Sequence, residues 1–197
     1  MKKLSLYTFL VLMWCNVGFA EDISELQIEG FSIGDSLLDH MSKEEIISEI
    51  ENNKNAYNYL TDEFGEVYLF KNYEKYDYLS FLVKPKDTNY IIYYIGGTIK
   101  YDNKIKQCRK KQKEVYREIS SQFNVIRKEE NSALYPWDST GKSINHYISL
   151  FLMSGDEISI SCAEFEKNIK IENNYIDGLT VEISTKEVSK WMRNYIN

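Results

Sequence analysis

Proline occurs only twice in this 197-residue chain, histidine twice and cysteine three times. Pro85 and Pro136 both fall in stretches that read as loops, and no proline-rich linker divides the chain. His40 and His146 have no neighbouring ligand at a metal spacing such as His-x-x-x-His, so neither a metal site nor a cofactor is expected. The cysteines form no Cys-x-x-Cys pair, which argues against a thiol redox enzyme. No Gly-x-Ser-x-Gly elbow marks a nucleophile. Adjacent acids such as Glu44-Glu45 and Glu129-Glu130 point in different directions and make no catalytic dyad; their expected role is solubility. There is no internal repeat. Beyond the first twenty residues the nearest approach to a long apolar run, Tyr90 to Ile95, spans six residues, whereas a bilayer span takes roughly 20. A Ser-His or Cys-His pair assembled from distant positions is the enzymatic arrangement these absences leave open.

The first twenty residues carry an address. Lys2 and Lys3 form a basic start, Leu4 to Trp14 is uncharged and mostly apolar, and Gly18-Phe19-Ala20 places small residues before a cut. This order reads as a signal peptide over residues 1–20, leaving a single α+β domain over 21–197. Cys15 sits in Leu12-Met13-Trp14-Cys15, where Trp14 occupies the small-residue position of a lipid-attachment box, so a soluble product is expected. The destination is the periplasm or the outside of the cell, with no stable membrane insertion after the leader is cut. Removing the leader takes two of the 24 basic residues and none of the 30 acidic ones, leaving a net charge of −8. An acidic domain of this kind lacks the basic footprint of a nucleic-acid binder and does not attract anionic lipid. Fifteen of the 16 tyrosines follow the leader. An aromatic sugar-binding platform is one reading of them. AT-rich codon usage, which four Arg against twenty Lys also suggests, is the preferred one.

Periodicity supplies the elements. Ile23 to Ile33 is a short strand or extended lead-in, and Ser36 to Met41 a helical turn. Ser42-Lys43-Glu44-Glu45 is a capping box that opens a helix through about Asn52, with Ile46, Ile47 and Ile50 facing inward. Val67–Phe70 and Tyr78–Val83 read as strands, and Tyr90–Tyr101 as the strongest strand, with a bulge or bend at Gly96-Gly97. Residues 103–121 form the best helix, with Ile105, Cys108, Val115 and Ile119 on one stripe. Residues 131–143 read as a loop. Tyr147–Met153, the turn Ser154-Gly155-Asp156 and Glu157–Cys162 make the clearest hairpin. Leu179–Ile183 is a further strand, and Ser184-Thr185-Lys186-Glu187 a second capping box opening a C-terminal helix with Val188, Trp191 and Met192 inward. The fold class is α+β: an antiparallel sheet with helices packed mainly on one face.

Two constellations carry chemistry. Cys108 lies on the apolar stripe of the long helix, and Cys162 shares a strand face with Ile158 and Ile160. If that helix covers that face, an oxidising compartment makes a Cys108–Cys162 disulfide the leading expectation, with two separate buried thiols as the alternative. Ser139-Thr140-Gly141-Lys142-Ser143 ends like a phosphate loop, but Pro136 stands where the motif needs its first glycine, and no strong strand precedes it. Tyr135 and Trp137 are the candidate partner-binding residues, because an aromatic pair beside Pro136 in a loop resembles a binding hot spot. The alternative is that Trp137 folds back on the core edge.

The stretch from Ile28 through Gly30-Phe31-Ser32, Gly34-Asp35-Ser36 and Asp39, followed by Ser42 and its helix, resembles the start of small exported proteins of unknown function from AT-rich marine alphaproteobacteria. The Tyr90–Tyr101 strand, Cys108, the Gly141-Lys142-Ser143 loop and the Ile158–Cys162 strand are similar to later parts of those proteins. That family carries no assigned activity, so the resemblance implies export and none of the chemistry. A weaker likeness joins Gly30-Phe31-Ser32 to small outer-membrane-assembly lipoproteins, whose lipid-attachment box this chain lacks. The expectation is an exported, non-enzymatic binding or interaction protein with an unknown protein or small-molecule partner, using a loop or sheet-edge surface. The runners-up are a hydrolase with a dispersed site and a small-ligand carrier.

Overall fold

The computed structural model describes residues 22–56, 60, 62–135, 138, 140–173 and 175–196. The leader (residues 1–20) and Trp137 lie outside the described residues. An extended lead-in with short 3-10 turns at Ile23–Glu25 and Leu37–Asp39 precedes helix α1 (Lys43–Ala56). Strands β1 (Gly65–Leu69), β2 (Tyr78–Val83) and β3 (Ile92–Lys100) follow, then helix α2 (Ile105–Ser120). After α2 come β4 (Val125–Leu134), β5 (Ile144–Leu152), β6 (Glu157–Glu164), the short helix α3 (Lys167–Asn173), β7 (Gly178–Ser184) and helix α4 (Lys186–Ile196). All seven strands form one antiparallel sheet in the order β1-β2-β3-β7-β6-β5-β4. Two meanders, β1 to β3 and β4 to β7, meet at the β3–β7 seam. Helix α2 leaves β3 at the centre and must reach β4 at the far edge, so it crosses β7, β6 and β5.

Strand side chains alternate between the two faces, and here the faces differ sharply. Val67, Phe81, Ile95, Ile183, Ile158 and Leu150 form one unbroken apolar row across six strands, all fully buried. Ile46 and Ile50 of α1 and Cys108 and Ile119 of α2 join the same core. Cys162, two residues beyond Ile160, points into this layer and is bonded to Cys108, with Cα atoms 6.0 Å apart. One helical turn after Cys108, the buried Gln112 donates from Nε2 to the carbonyls of His146 and Ile160, each at 2.7 Å. On the opposite face α4 covers one end only, where Val188 and Trp191 pack with Leu82, Tyr94, Phe64 and Leu60.

Several local expectations change. Gly96 and Gly97 sit in regular pairing with both β2 and β7; the irregularity of β2–β3 lies at Leu82/Val83. The glycines make room instead: a Cβ on Gly96 would stand 2.6 Å from Ser80 Oγ and 2.7 Å from the Tyr94 hydroxyl, and one on Gly97 2.7 Å from the Tyr76 ring. Residues 131–134 belong to strand β4 and not to a loop. Helix α1 runs four residues past Asn52, and the strong strand begins at Ile92 because Tyr90 has a left-handed backbone (φ 47°). The second cap is Thr185, whose Oγ1 accepts from Val188 N–H, while Ser184 bonds to Ser189 and the Glu157 carbonyl. Asp156 of the hairpin turn accepts from Lys186 N–H at 2.7 Å, tying the β5–β6 turn to the start of α4. Helix α3 is held by an ion pair from Lys170 to the buried Asp177.

The disulfide closes a sequence separation of 54 residues. Replacing both cysteines by alanine is expected to lower unfolding stability by about 4 kcal/mol in the chain-entropy account, read as a lower midpoint in denaturant.

Candidate functional site

The open face of the sheet is built from the alternate positions, and its rows follow from the strand register. One row runs Tyr68, Ser80, Gly96, Glu182, Ser159, Ser149 and Glu129. The next runs Tyr78, Thr98, Thr180, Ser161, Tyr147 and Asn131. Small hydroxyl residues therefore floor the middle of the face. Ser80, Thr98, Ser149 and Ser161 are each below a tenth exposed. Aromatic rings rise at both sides. Tyr68, Phe70 and Tyr78 stand together on β1–β2, with ring centroids 5.5 to 6.2 Å apart, and Phe70 is 71% exposed. Tyr147 and Phe151 stand on β5, with the Arg127 guanidinium 3.6 Å from the Phe151 ring centroid.

One ionisable group lies at the centre of that floor. Glu182 is half-buried and accepts a 2.9 Å hydrogen bond from the Tyr94 hydroxyl. Burial raises the Glu182 pKa, and nearby Glu157 adds to the rise, against the hydrogen bonds from Tyr94 and Ser159. Burial likewise pushes the Tyr94 hydroxyl far up, with the Glu182 and Glu66 charges adding to the effect. The Gly96 position is what lets Tyr94 lie close to the floor and reach across the seam to Glu182.

Of the two candidate residues from the sequence, Tyr135 sits away from this face. Tyr135 is half-buried and packs edge-on against Phe165 and Tyr175, at centroid distances of 4.8 and 5.9 Å. Beyond it, the backbone N–H groups of Thr140, Lys142 and Ser143 all donate to the Asp138 carboxylate. Burial opposes the Asp138 charge, but hydrogen bonds from Ser143 and Thr140 prevail and hold its pKa far below the usual carboxylate range. That carboxylate fills the nest a phosphate would need, so the loop's Gly-Lys-Ser is a structural turn. Ser132 and His146 face each other directly across β4–β5, with Ser Oγ 2.6 Å from His Nδ1. Burial and then Arg109 lower the His146 pKa, against Glu164, and favour the neutral ring. Strand alternation accounts for this pair. It lies at the β4 edge, whereas a cleft of about 350 Å³, lined in part by Ile47, Leu60, Phe64 and Pro85, lies at the other edge.

Among the described residues, no group of three His, Cys, Asp or Glu side chains could hold a metal ion, and no helix is long and apolar enough to cross a membrane. The open face had a partial signal in sequence, the Ser159-Ile160-Ser161-Cys162 alternation; Gln112 had a clear one, because it falls between Cys108 and Val115 on the apolar stripe. Comparison with protein-family models, curated proteins and solved structures returns no match to this chain. What the chain itself establishes is a small α+β domain with a seven-stranded antiparallel sheet, helices packed alongside it and one disulfide.

A carboxyl whose pKa is raised by folding makes the folded state bind more protons than the unfolded chain, so stability falls as pH rises through that window. In Glu182→Gln this loss is absent. The melting temperature of the variant is expected to gain on the parent protein between about pH 4, near the unfolded carboxylate value, and neutrality. Parallel thermal melts across that range check it, and a constant difference would contradict the raised Glu182 pKa.

Proposed function

We propose that this is an exported, non-enzymatic binding protein that seats its ligand on the open face of the sheet. The observation that carries the reading is the asymmetry of the faces: one buries a continuous apolar row, while the other presents a hydroxyl floor between two aromatic groups. Such a surface suits an extended polar ligand with flat C–H or aromatic faces, such as an oligosaccharide chain. Rings stack on the walls, and the half-buried Ser159, Thr180 and Glu182 of the floor exchange hydrogen bonds. The acidic centre at Glu182 and the net charge of −8 after the leader disfavour an anionic ligand. The apolar leader and the disulfide support a periplasmic or secreted location, since disulfides persist in oxidising compartments.

Titration with neutral oligosaccharides, followed by tyrosine and tryptophan fluorescence, is expected to show saturable binding. Phe70→Ala combined with Tyr78→Ala should weaken it about tenfold, the scale of losing a stacked aromatic contact, without lowering the melting temperature. Saturable binding that both substitutions leave unchanged would move the site off this face. The address is checked separately by intact mass of the protein recovered from its producing cells after alkylation without reduction. A mass starting at Glu21 with no alkylated thiol is expected; retention of residues 1–20 would overturn the exported reading.

A further inference from the structure

The two edges of the sheet are finished differently. At the β1 edge, a five-residue strand, α1 covers the backbone: Tyr68 N–H donates to Glu49 Oε2 at 3.2 Å, and the Glu66 carbonyl accepts from Asn53 Nδ2 at 2.9 Å. The β4 edge is ten residues long, and nine of its side chains are exposed. Among the described residues, the one side chain hydrogen-bonded to its backbone is Asn131, which accepts from Ser132 N–H. A long strand with an uncovered edge is a template for a further strand. Its charges select which one. Arg127, Lys128, Glu129 and Glu130 run in sequence as two cations and then two anions, with Arg127 bridged to Glu129 and Lys128 bridged to Glu130 at 2.7 Å.

We propose that β4 pairs antiparallel with β4 of a second copy of this chain, joining two sheets edge to edge about a two-fold axis. Such an axis stands perpendicular to the sheet and keeps each face continuous, so only residues of the same face meet. Placed at Glu129, it overlaps residues 125–133 and sets Lys128 opposite Glu130 of the second copy, twice by symmetry. Arg127 then faces Asn131. Glu129 meets its own counterpart and is flanked on the diagonal by Arg127 from the other chain. Direct cross-strand pairs of opposite sign stabilise a sheet, and like pairs destabilise it. Moving the axis to Lys128 shortens the overlap to residues 125–131, opposes two lysines and exchanges the Lys128–Glu130 pairs for Arg127–Glu129 pairs, and moving it to Glu130 removes every direct opposite-charge pair, so the longer overlap together with the charges favours Glu129. The open faces of the two copies become one surface, whichever ligand they take.

Sedimentation velocity over a concentration series, on the oxidised chain from Glu21 onward, tests the pairing. A concentration-dependent dimer is expected, with slowed amide exchange at Lys128 and Glu130 as the dimer fills. Lys128→Glu should weaken it by about tenfold or more, through two like-charge pairs. Adding Glu130→Lys should restore it, and Glu129→Gln should tighten it. All three positions are exposed, and circular dichroism confirms that each variant is folded. A protein that stays monomeric throughout the series overturns the proposal, as does a dimer indifferent to Lys128→Glu or not restored by the double exchange.

Discussion

Strand β3 pairs with β7, a strand almost ninety residues further along the chain, and helix α2 owes its path to that pairing. With the centre of the sheet closed by β3 and β7, the chain leaving β3 must travel over β7, β6 and β5 before it can begin β4. The helix that makes the journey lies across the face it crosses, so its stripe of Ile105, Cys108, Gln112, Val115 and Ile119 becomes the cover of the core. Cys108 arrives above Cys162 for the same reason. Gln112 shows how close the cover lies, because its amide reaches two strand carbonyls between apolar neighbours. A buried amide that finds two acceptors is stabilising, whereas one without partners would be costly.

Once one face is sealed this way, period-two alternation decides what the other face can be. Every second residue of β6 and β7 faces away from α2, among them Ser159, Ser161, Thr180 and Glu182. A polar set on a sheet face needs no covering layer, and α4 supplies one only at the end where Leu82 and Tyr94 are apolar enough to require it. Glu182 remains on the floor because Tyr94 and Ser159 satisfy its oxygens.

Elements with one wet and one dry side were legible in the sequence. The Cys108 helix shows the 3.6-residue period, the Ile158–Cys162 strand shows the two-residue period, and together they indicated the disulfide. Strand β4 has nine exposed side chains, so Val125–Leu134 displays no apolar period and its course is fixed by its pairing to β5. Helix α3 is too short to show a stripe, and Lys170 ties it both to Asp177, seven residues on, and to Asn103, 67 residues back in the chain. Gly96 and Gly97 carried the right warning with the wrong cause, since one sequence cannot show that Tyr94 and Tyr76 lie over them. The open face left only the Ser159-Ile160-Ser161-Cys162 alternation as a trace in the sequence. Its rows exist only after seven strands have been put in register, which is non-local information.

The seam has a temporal side. Chain growth runs from the N-terminus, so β7 becomes available after the other six strands of its sheet. Until then the β1–β3 and β4–β6 meanders are two half-sheets, each with an unpaired strand at the future centre. Their apolar face is incomplete, and no local contact can substitute for the missing strand. Non-local pairings of this kind are slow to form and leave edges open in the meantime. Cys108 and Cys162 both precede β7, so the staple can close while the centre is still vacant, holding α2 over the gap into which the last strand must fit.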